Sequence, residues 1–433
     1  MTKKPNIVLF ITHDQGQYVG CYDSPQTPNS LDTPNIDKIG HKGVRFTNYF
    51  CTAPQCSPSR SSMKTSLYPH QNGLMGLVNR GWTMPEDNKT LAMYLKENGY
   101  TTHLLGLQHE SLDAQTLGYD TISKRGPEFK YSCGRMEKKY YEFFDEHKDD
   151  EKPFFVNIGT IEVHRPFQAW SEPVDSERVK IPPYLPEDER IRADLAEIYG
   201  NIELVDKTIG KILNYLEDIG LRENTLFIYT TDHGIPYPRA KCTLYDPGLK
   251  ILLLIHYPNS ELFSGGKVVN SMLSNLDLLP TIIDFIGGNI PENVEGKSFI
   301  PILKKECEEI REEIYAEKTY HEIYDPIRGI RTKQFKYIKN FQELDTLYQI
   351  PGDILMDPAG KAMEERYQEP RPMEELYNLE NDPNEMNNLI DNPKYNEILF
   401  DLTTRLSDWM VKTDDPLLKG KIKEEKQELK GHY

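Results

Sequence analysis

The tightest constraint on this fold is a series of short, unbroken, β-branched apolar runs separated by stretches of helical spacing. The first, Asn6–Thr12 (NIVLFIT), shows no polar alternation. A strand of this kind needs cover on both faces, as in a parallel sheet. Residues 101–105, 153–159, 225–230 and 251–256 read the same way. Between them lie segments with helical spacing: 33–42 with Pro34 in the first turn, 91–97 stopped by Asn98-Gly99, 191–216, and 276–286. Strands that alternate with helices predict a mostly parallel sheet with helices on both faces.

The pattern changes near residue 300. A charged helix is predicted over 304–313, followed by short alternating segments at 314–317, 327–331 and 335–339. These predict a small antiparallel sheet. Residues 344–372 are irregular and read as a long surface excursion. A final strand is expected at 376–379 and a terminal helix at 393–411, and the Lys/Glu-rich tail beyond Leu418 is expected to fray. The division predicted is a catalytic α/β domain over 1–300 and an α+β subdomain over 301–433. No internal repeat is visible.

With 38% hydrophobic and 10% aromatic residues, the 433-residue chain has the means to fill such a core. Its net charge of −17 repels phosphate backbones and argues against nucleic acid. An anionic small ligand then needs a local pocket of placed cations or a metal. The opening apolar run, Ile7–Ile11, is short for a secretion signal, and no later stretch is long enough to span a membrane. Six cysteines at irregular spacing form neither a zinc pattern nor a disulfide framework. A cytoplasmic protein without a membrane partner is the expectation, with homo-oligomerisation left open.

Two of the apolar runs end in ionisable groups: the first in His13-Asp14-Gln15, another in Asp232-His233-Gly234. Ligands bind at the carboxyl ends of parallel strands, so Asp14, Gln15, Asp232 and His233 can meet as a mixed N/O site for a divalent cation. Taken singly, each Asp reads as a helix cap. The third element is Cys56-Ser57-Pro58-Ser59-Arg60. A structural cysteine sits in an apolar run, not beside Pro, Ser and Arg. Pro58 suits a helix's first turn, which places Cys56 at a helix N-terminus that favours negative charge.

Cys56-x-Pro58-Ser59-Arg60 followed by Met63-x-Thr65 resembles the signature of the formylglycine-dependent sulfatases. The two Asp-bearing strand ends and Leu376–Leu379 with Asp382-Pro383-Asn384-Glu385 are similar to other segments of that family, in the same order. Residues 56–77, 232–248, 276–285, His321-Glu322 and 326–328 resemble its heparan N-sulfatase branch. The resemblance implies an alkaline-phosphatase-like fold and a divalent ion, calcium first, with an imidazole ligand tilting toward manganese or a similar ion. It also implies conversion of Cys56 to formylglycine by a maturating enzyme. The substrate it implies is a sulfated saccharide, N-sulfoglucosamine of heparan fragments in particular.

Residue by residue, it implies metal ligation by Asp14, Gln15, Asp232, His233 and the hydrate formed at position 56. Arg60 supports that hydrate, Lys241 and His109 bind sulfate, and His164 faces the leaving group. His70, His321 and Glu322 are candidate substrate contacts. Leu107 stands where the family carries a sulfate-binding Lys, and Lys64 or His70 is a candidate replacement. Three other readings stay open: an O-sulfatase on another glycan, a phosphonate or phosphate ester hydrolase, and a non-catalytic glycan binder.

Overall fold

The structure is a computed structural model that describes residues 4–22, 24, 31–123, 131–364 and 367–424. At its centre, Asn6–Thr12 pairs in parallel with Thr225–Thr231 on one side and Phe154–Gly159 on the other. Thr101–Gly106 and Thr121–Ile122 extend the parallel array. Beyond Thr225–Thr231 lie Leu253–His256, antiparallel, and then Val44–Phe46 and Lys267–Val269, completing eight strands. A smaller three-stranded sheet joins Leu273–Ser274, Tyr49–Phe50 and Lys250–Ile251.

Every residue of Asn6–Thr12 is buried, as its composition requires. Two groups of helices do the covering. Pro34–Lys42, Cys133–His147 and the 30-residue Glu189–Asp218 pack together, and Cys56–Thr65, Leu91–Glu97 and Leu278–Phe285 form the second group. Leu9 is fully buried, so truncation to Ala would cost about 2–5 kcal/mol.

The C-terminal portion contains a four-stranded antiparallel sheet: Glu313–Tyr320, Tyr324–Thr332, Phe335–Asn340 and Glu374–Asn378. The terminal helix Asn396–Lys412 packs Leu402, Leu406, Trp409 and Met410 against Ile330, Tyr337 and Leu376 of this sheet.

Two expectations fail here. The charged helix over 304–313 does not form: the helix is Ile300–Leu303, and the next strand begins at Glu313. The segment offers only Cys307 and Ile310 for burial, and a helix would stack Glu308 on Glu312 and Glu309 on Glu313. Its backbone is held instead by tertiary contacts, with Ser271 Oγ donating to Glu308 O at 2.6 Å and Lys297 Nζ to Ile310 O at 3.1 Å. Residues 344–372 are also no mere surface excursion. They include helices Gly352–Leu355 and Pro358–Glu364, the second packed on Glu189–Asp218, with Ile354, Ala359 and Met363 buried. The fraying expected of the tail lies partly outside the described residues. Ile422, within them, is buried against the Trp82–Tyr320 cluster.

Candidate active site

Four strands of the parallel array end at one place. The register Thr12↔Thr231 sets His13 and Asp14 beside Asp232 and His233, and the Asp14 N–H donates to Asp232 Oδ1 at 2.9 Å. Past Gly159 the chain pairs with the opening strand again, His13 N to Glu162 O at 2.7 Å and Val163 N to His13 O at 2.9 Å, which delivers His164. Leu107 N bonds Gly159 O at 2.8 Å and the chain then delivers His109. Gly106 makes that turn with φ +89°, and a Cβ there would meet the Gly159 carbonyl.

Helix Cys56–Thr65 points its N-terminus into this convergence. Arg60, fully buried, bonds Asp232 Oδ2 at 2.9 Å and Thr12 O at 3.0 Å. Ser59 Oγ donates to Asp232 O at 2.5 Å. Cys56 Sγ thereby sits 3.4 Å from His233 Nε2 and 3.8 Å from Asp14 Oδ1. The loop after His233 is tied to the approach of this helix by Cys242 N to Pro54 O at 2.8 Å. It places Lys241 Nζ 2.7 Å from Asp14 Oδ2 and 3.5 Å from His164 Nε2. His164 Nδ1 donates to Arg165 O at 2.7 Å, which leaves Nε2 facing the site.

The electrostatics follow from this packing. Burial pushes the Cys56 thiol up, but Lys241, His233 and a hydrogen bond from His109 outweigh it and hold it well below the ordinary thiol range. Burial likewise opposes ionisation of Asp14 and Asp232. Lys241 and His233 beside the first, and His13, His233 and Arg60 beside the second, keep both carboxyls well below their usual range.

His13, Asp14, Cys56 and Asp232 place ligand atoms within 4.8 Å of one another, all buried. His13 Nδ1 lies 3.0 Å from Asp232 Oδ2, yet neither ring nitrogen makes a hydrogen bond. A buried imidazole without a hydrogen-bond partner, set among two carboxylates, fits a divalent-cation site.

This arrangement corrects one expected ligand. Gln15 turns away: its amide oxygen accepts from Thr12 Oγ1 and Tyr229 Oη, each at 2.7 Å, and its amide nitrogen donates to Tyr18 O at 3.2 Å. Asp14 is left-handed, φ 50°, and this kink sends His13 and Asp14, not Asp14 and Gln15, into the site. His13 was missed, although its place directly after an apolar strand was visible.

His70 is likewise not a substrate contact. It is buried, bonded through Nδ1 to Glu317, and flanked by Tyr68 and Trp409. Lys64 is also engaged elsewhere, donating to Asn157 Oδ1 at 2.9 Å. His321 is buried, and burial together with the nearby charges of Lys241, Lys318 and His233 holds it well below the usual imidazole range. Glu322 is half-buried, accepting from Arg80 at 2.7 Å and from Gly352 N at 3.0 Å. Asp353, carried by the segment read as a loop, reaches within 3.6 Å of Lys241 and 3.8 Å of His164; no sequence motif announced it.

A cavity of about 530 Å³ opens beside this cluster, with His13, His109 and His164 at one end. Leu107 forms part of an otherwise largely apolar wall with Leu104, Leu112, Ile122 and Trp170. The lining cation Arg165 is neutralised by Asp194 at 2.6 Å and Asp357 at 2.5 Å.

A nucleophile precursor at a helix N-terminus, a cation-ready carboxylate pair and two basic groups facing a cavity define a hydrolase of anionic esters. The sulfatase family model matches residues 5–288, and the chain belongs to that family. It is a sulfuric ester hydrolase of a family that generally uses formylglycine and a divalent metal. Residues 239–374 match a second model, the C-terminal region of N-sulphoglucosamine sulphohydrolase.

Among curated relatives, an ulvan-active sulfatase of Formosa agariphila is 30% identical, covering 98% of this chain and 83% of its own. Human N-sulphoglucosamine sulphohydrolase is 26% identical, covering 95% and 91%. A solved glycosaminoglycan sulfatase of Bacteroides thetaiotaomicron shares the fold with a TM-score of 0.78 at 19% identity, covering 97% of this chain and 99% of its own.

Proposed function

We propose that this enzyme releases sulfate from a sulfated amino sugar of a glycosaminoglycan, N-sulfoglucosamine foremost. The observation that carries the reading is the position of Cys56: a helix N-terminus packed against Asp14, His233 and His109, beside a cavity of about 530 Å³. The C-terminal match to N-sulphoglucosamine sulphohydrolase supports the amino sugar.

His13, Asp14, Asp232 and His233, with the side chain at position 56, would hold the divalent ion, which supplies Lewis acidity toward a sulfuryl oxygen and toward an oxygen nucleophile. The imidazole of His13 moves the preference from calcium toward manganese or a similar borderline ion. Conversion of Cys56 to formylglycine by a maturating enzyme supplies the oxygen nucleophile that a thiol lacks. Around these groups the chain's own residues have separable tasks. Arg60 stays paired with Asp232 and fixes the helix N-terminus. Lys241 and His109 offer donors to charge that grows on the sulfuryl oxygens. His164, with Nδ1 committed to a carbonyl, presents Nε2 to hand a proton to the departing amine or alcohol.

Sulfate release from N-sulfoglucosamine by the matured, metal-loaded enzyme tests this reading; no release from that sugar overturns it. A second reading, an O-sulfatase on a less charged glycan, draws on the apolar cavity wall and on the ulvan-active relative. It predicts the opposite ranking when N-sulfoglucosamine is compared with an O-sulfated sugar. The cytoplasm is the compartment we propose.

A further inference from the structure

The charge of Asp353 is not used by the chemistry above, and its position is unusual. It sits on Gly352–Leu355, a short helix pinned from several sides. Gly352 N donates to Glu322 Oε2 at 3.0 Å, Arg239 bonds Tyr348 Oη at 3.0 Å, and Arg165 pairs with Asp357. The carboxylate is therefore held in place. Yet it stops 3.6 Å from Lys241 and 3.8 Å from His164, makes no hydrogen bond among the described residues, and remains about one-third exposed. Lys241 already carries Asp14 at 2.7 Å. One ammonium thus faces two carboxylates before any sulfate arrives. With Asp353 3.6 Å from Lys241, a substituent next to a sulfate held by Lys241 would come against Asp353. A hydroxyl or amine there gains a charge-assisted hydrogen bond, and a second anion meets like charge.

We propose that Asp353 is a specificity-determining residue. It selects substrates with a hydrogen-bond donor on the atom next to the sulfated position and rejects a second sulfate there. This rests on the sulfatase class of the enzyme and refines the saccharide reading.

The test uses the matured, metal-loaded enzyme and two pairs of probes. The first pair, 2-hydroxyphenyl sulfate and 2-methoxyphenyl sulfate, differs in an adjacent donor and needs no sugar specificity. Wild type should prefer the hydroxyl compound in kcat/KM by about tenfold to a hundredfold, the range for a hydrogen bond to a charged group. Asp353→Ala should remove that preference, so that the kcat/KM ratio of the two compounds falls to about one. Asp353→Asn, which keeps an acceptor without the charge, should retain part of it. The second pair, N-sulfoglucosamine and its 2-N,3-O-disulfate, should show a preference for the monosulfate that narrows at least about tenfold in both variants, because the like-charge opposition is gone. Equal losses on both aryl sulfates would assign Asp353 a structural role and overturn the proposal, as would an unchanged preference in Asp353→Ala. Failure of the sugars alone overturns the saccharide reading and leaves the aryl result to judge Asp353.

Discussion

Among the described residues, two buried clusters bring a histidine and two carboxylates within 4.8 Å of one another: His13 with Asp14 and Asp232, and His70 with Glu317 and Asp415. They differ in how their carboxylates are paired. In the second, Arg328 reaches Asp415 through Nε at 2.6 Å and Nη2 at 3.1 Å, and lies 3.5 Å from Glu317. One guanidinium thus spans both carboxylates, the His70 ring is covered by Tyr68 and Trp409, and the network joins the segment after the Cys56 helix to the antiparallel sheet and the chain beyond the terminal helix. In the first, the carboxylates are held separately, Asp232 Oδ2 by Arg60 at 2.9 Å and Asp14 Oδ2 by Lys241 at 2.7 Å. His13 Nδ1 lies 3.0 Å from Asp232 Oδ2, and the cluster borders a cavity. Similar composition thus serves two ends. A cluster bridged by one guanidinium stabilises, and one whose carboxylates are held separately beside a cavity is available for chemistry.

The comparison can be broken at several points. Cys56→Ala should abolish sulfate release, by at least about a thousandfold, with folding intact by circular dichroism, since no oxygen nucleophile can be installed. Arg328→Met should do the reverse: a loss of about 3–5 kcal/mol in denaturant unfolding, because two buried carboxylates lose their partner, with kcat within about threefold. A chelator should lower the stability of the wild type by about 2.7 kcal/mol relative to enzyme at free ion a hundred times Kd. Cys56→Ala should lose less and Arg328→Met should lose the same, so a chelation effect abolished by Arg328→Met would place the ion at the wrong cluster.

The smallest effect is in pH. Burial raises the Asp415 carboxyl, but Arg328 more than reverses it and, with His70, holds it below the usual range. Its contribution is complete above the unfolded value, about 3.9, and is lost as pH falls through the lower folded value. In Arg328→Met the same carboxyl is buried without that cation and shifts upward, so acid now stabilises it. The stability gap between the variant and wild type should narrow as pH drops from about 6 to about 4, measured by thermal unfolding in matched salt.

Much of this site was legible in the chain because parallel strands are. An unbroken apolar run must be central, and its first polar residue must emerge at the carboxyl edge, so Asp14 and Asp232 could be paired across 218 positions. The Cys56 segment was legible through its odd composition. The choice between His13 and Gln15 was not, because it depends on a left-handed residue at Asp14 that no neighbouring glycine advertises. His70 misled for a related reason: its partner Glu317 is 247 residues away, and a histidine next to a functional helix looks the same whether it faces a ligand or a buried carboxylate. Asp353 was invisible, since tertiary anchors and not local periodicity fix the segment that carries it.

The central claim is that residue 56 becomes the nucleophile at the cluster of His13, Asp14 and Asp232. It is tested most directly by measuring the mass of the peptide spanning Cys56 and the sulfate released from N-sulfoglucosamine on one preparation made with a formylglycine-generating partner. The account predicts a mass about 18 Da below the cysteine form, the change expected for oxidation of this thiol to an aldehyde, together with sulfate release in proportion to the converted fraction. A fully converted, metal-loaded enzyme that releases no sulfate, or an unconverted one that releases it equally well, would contradict it.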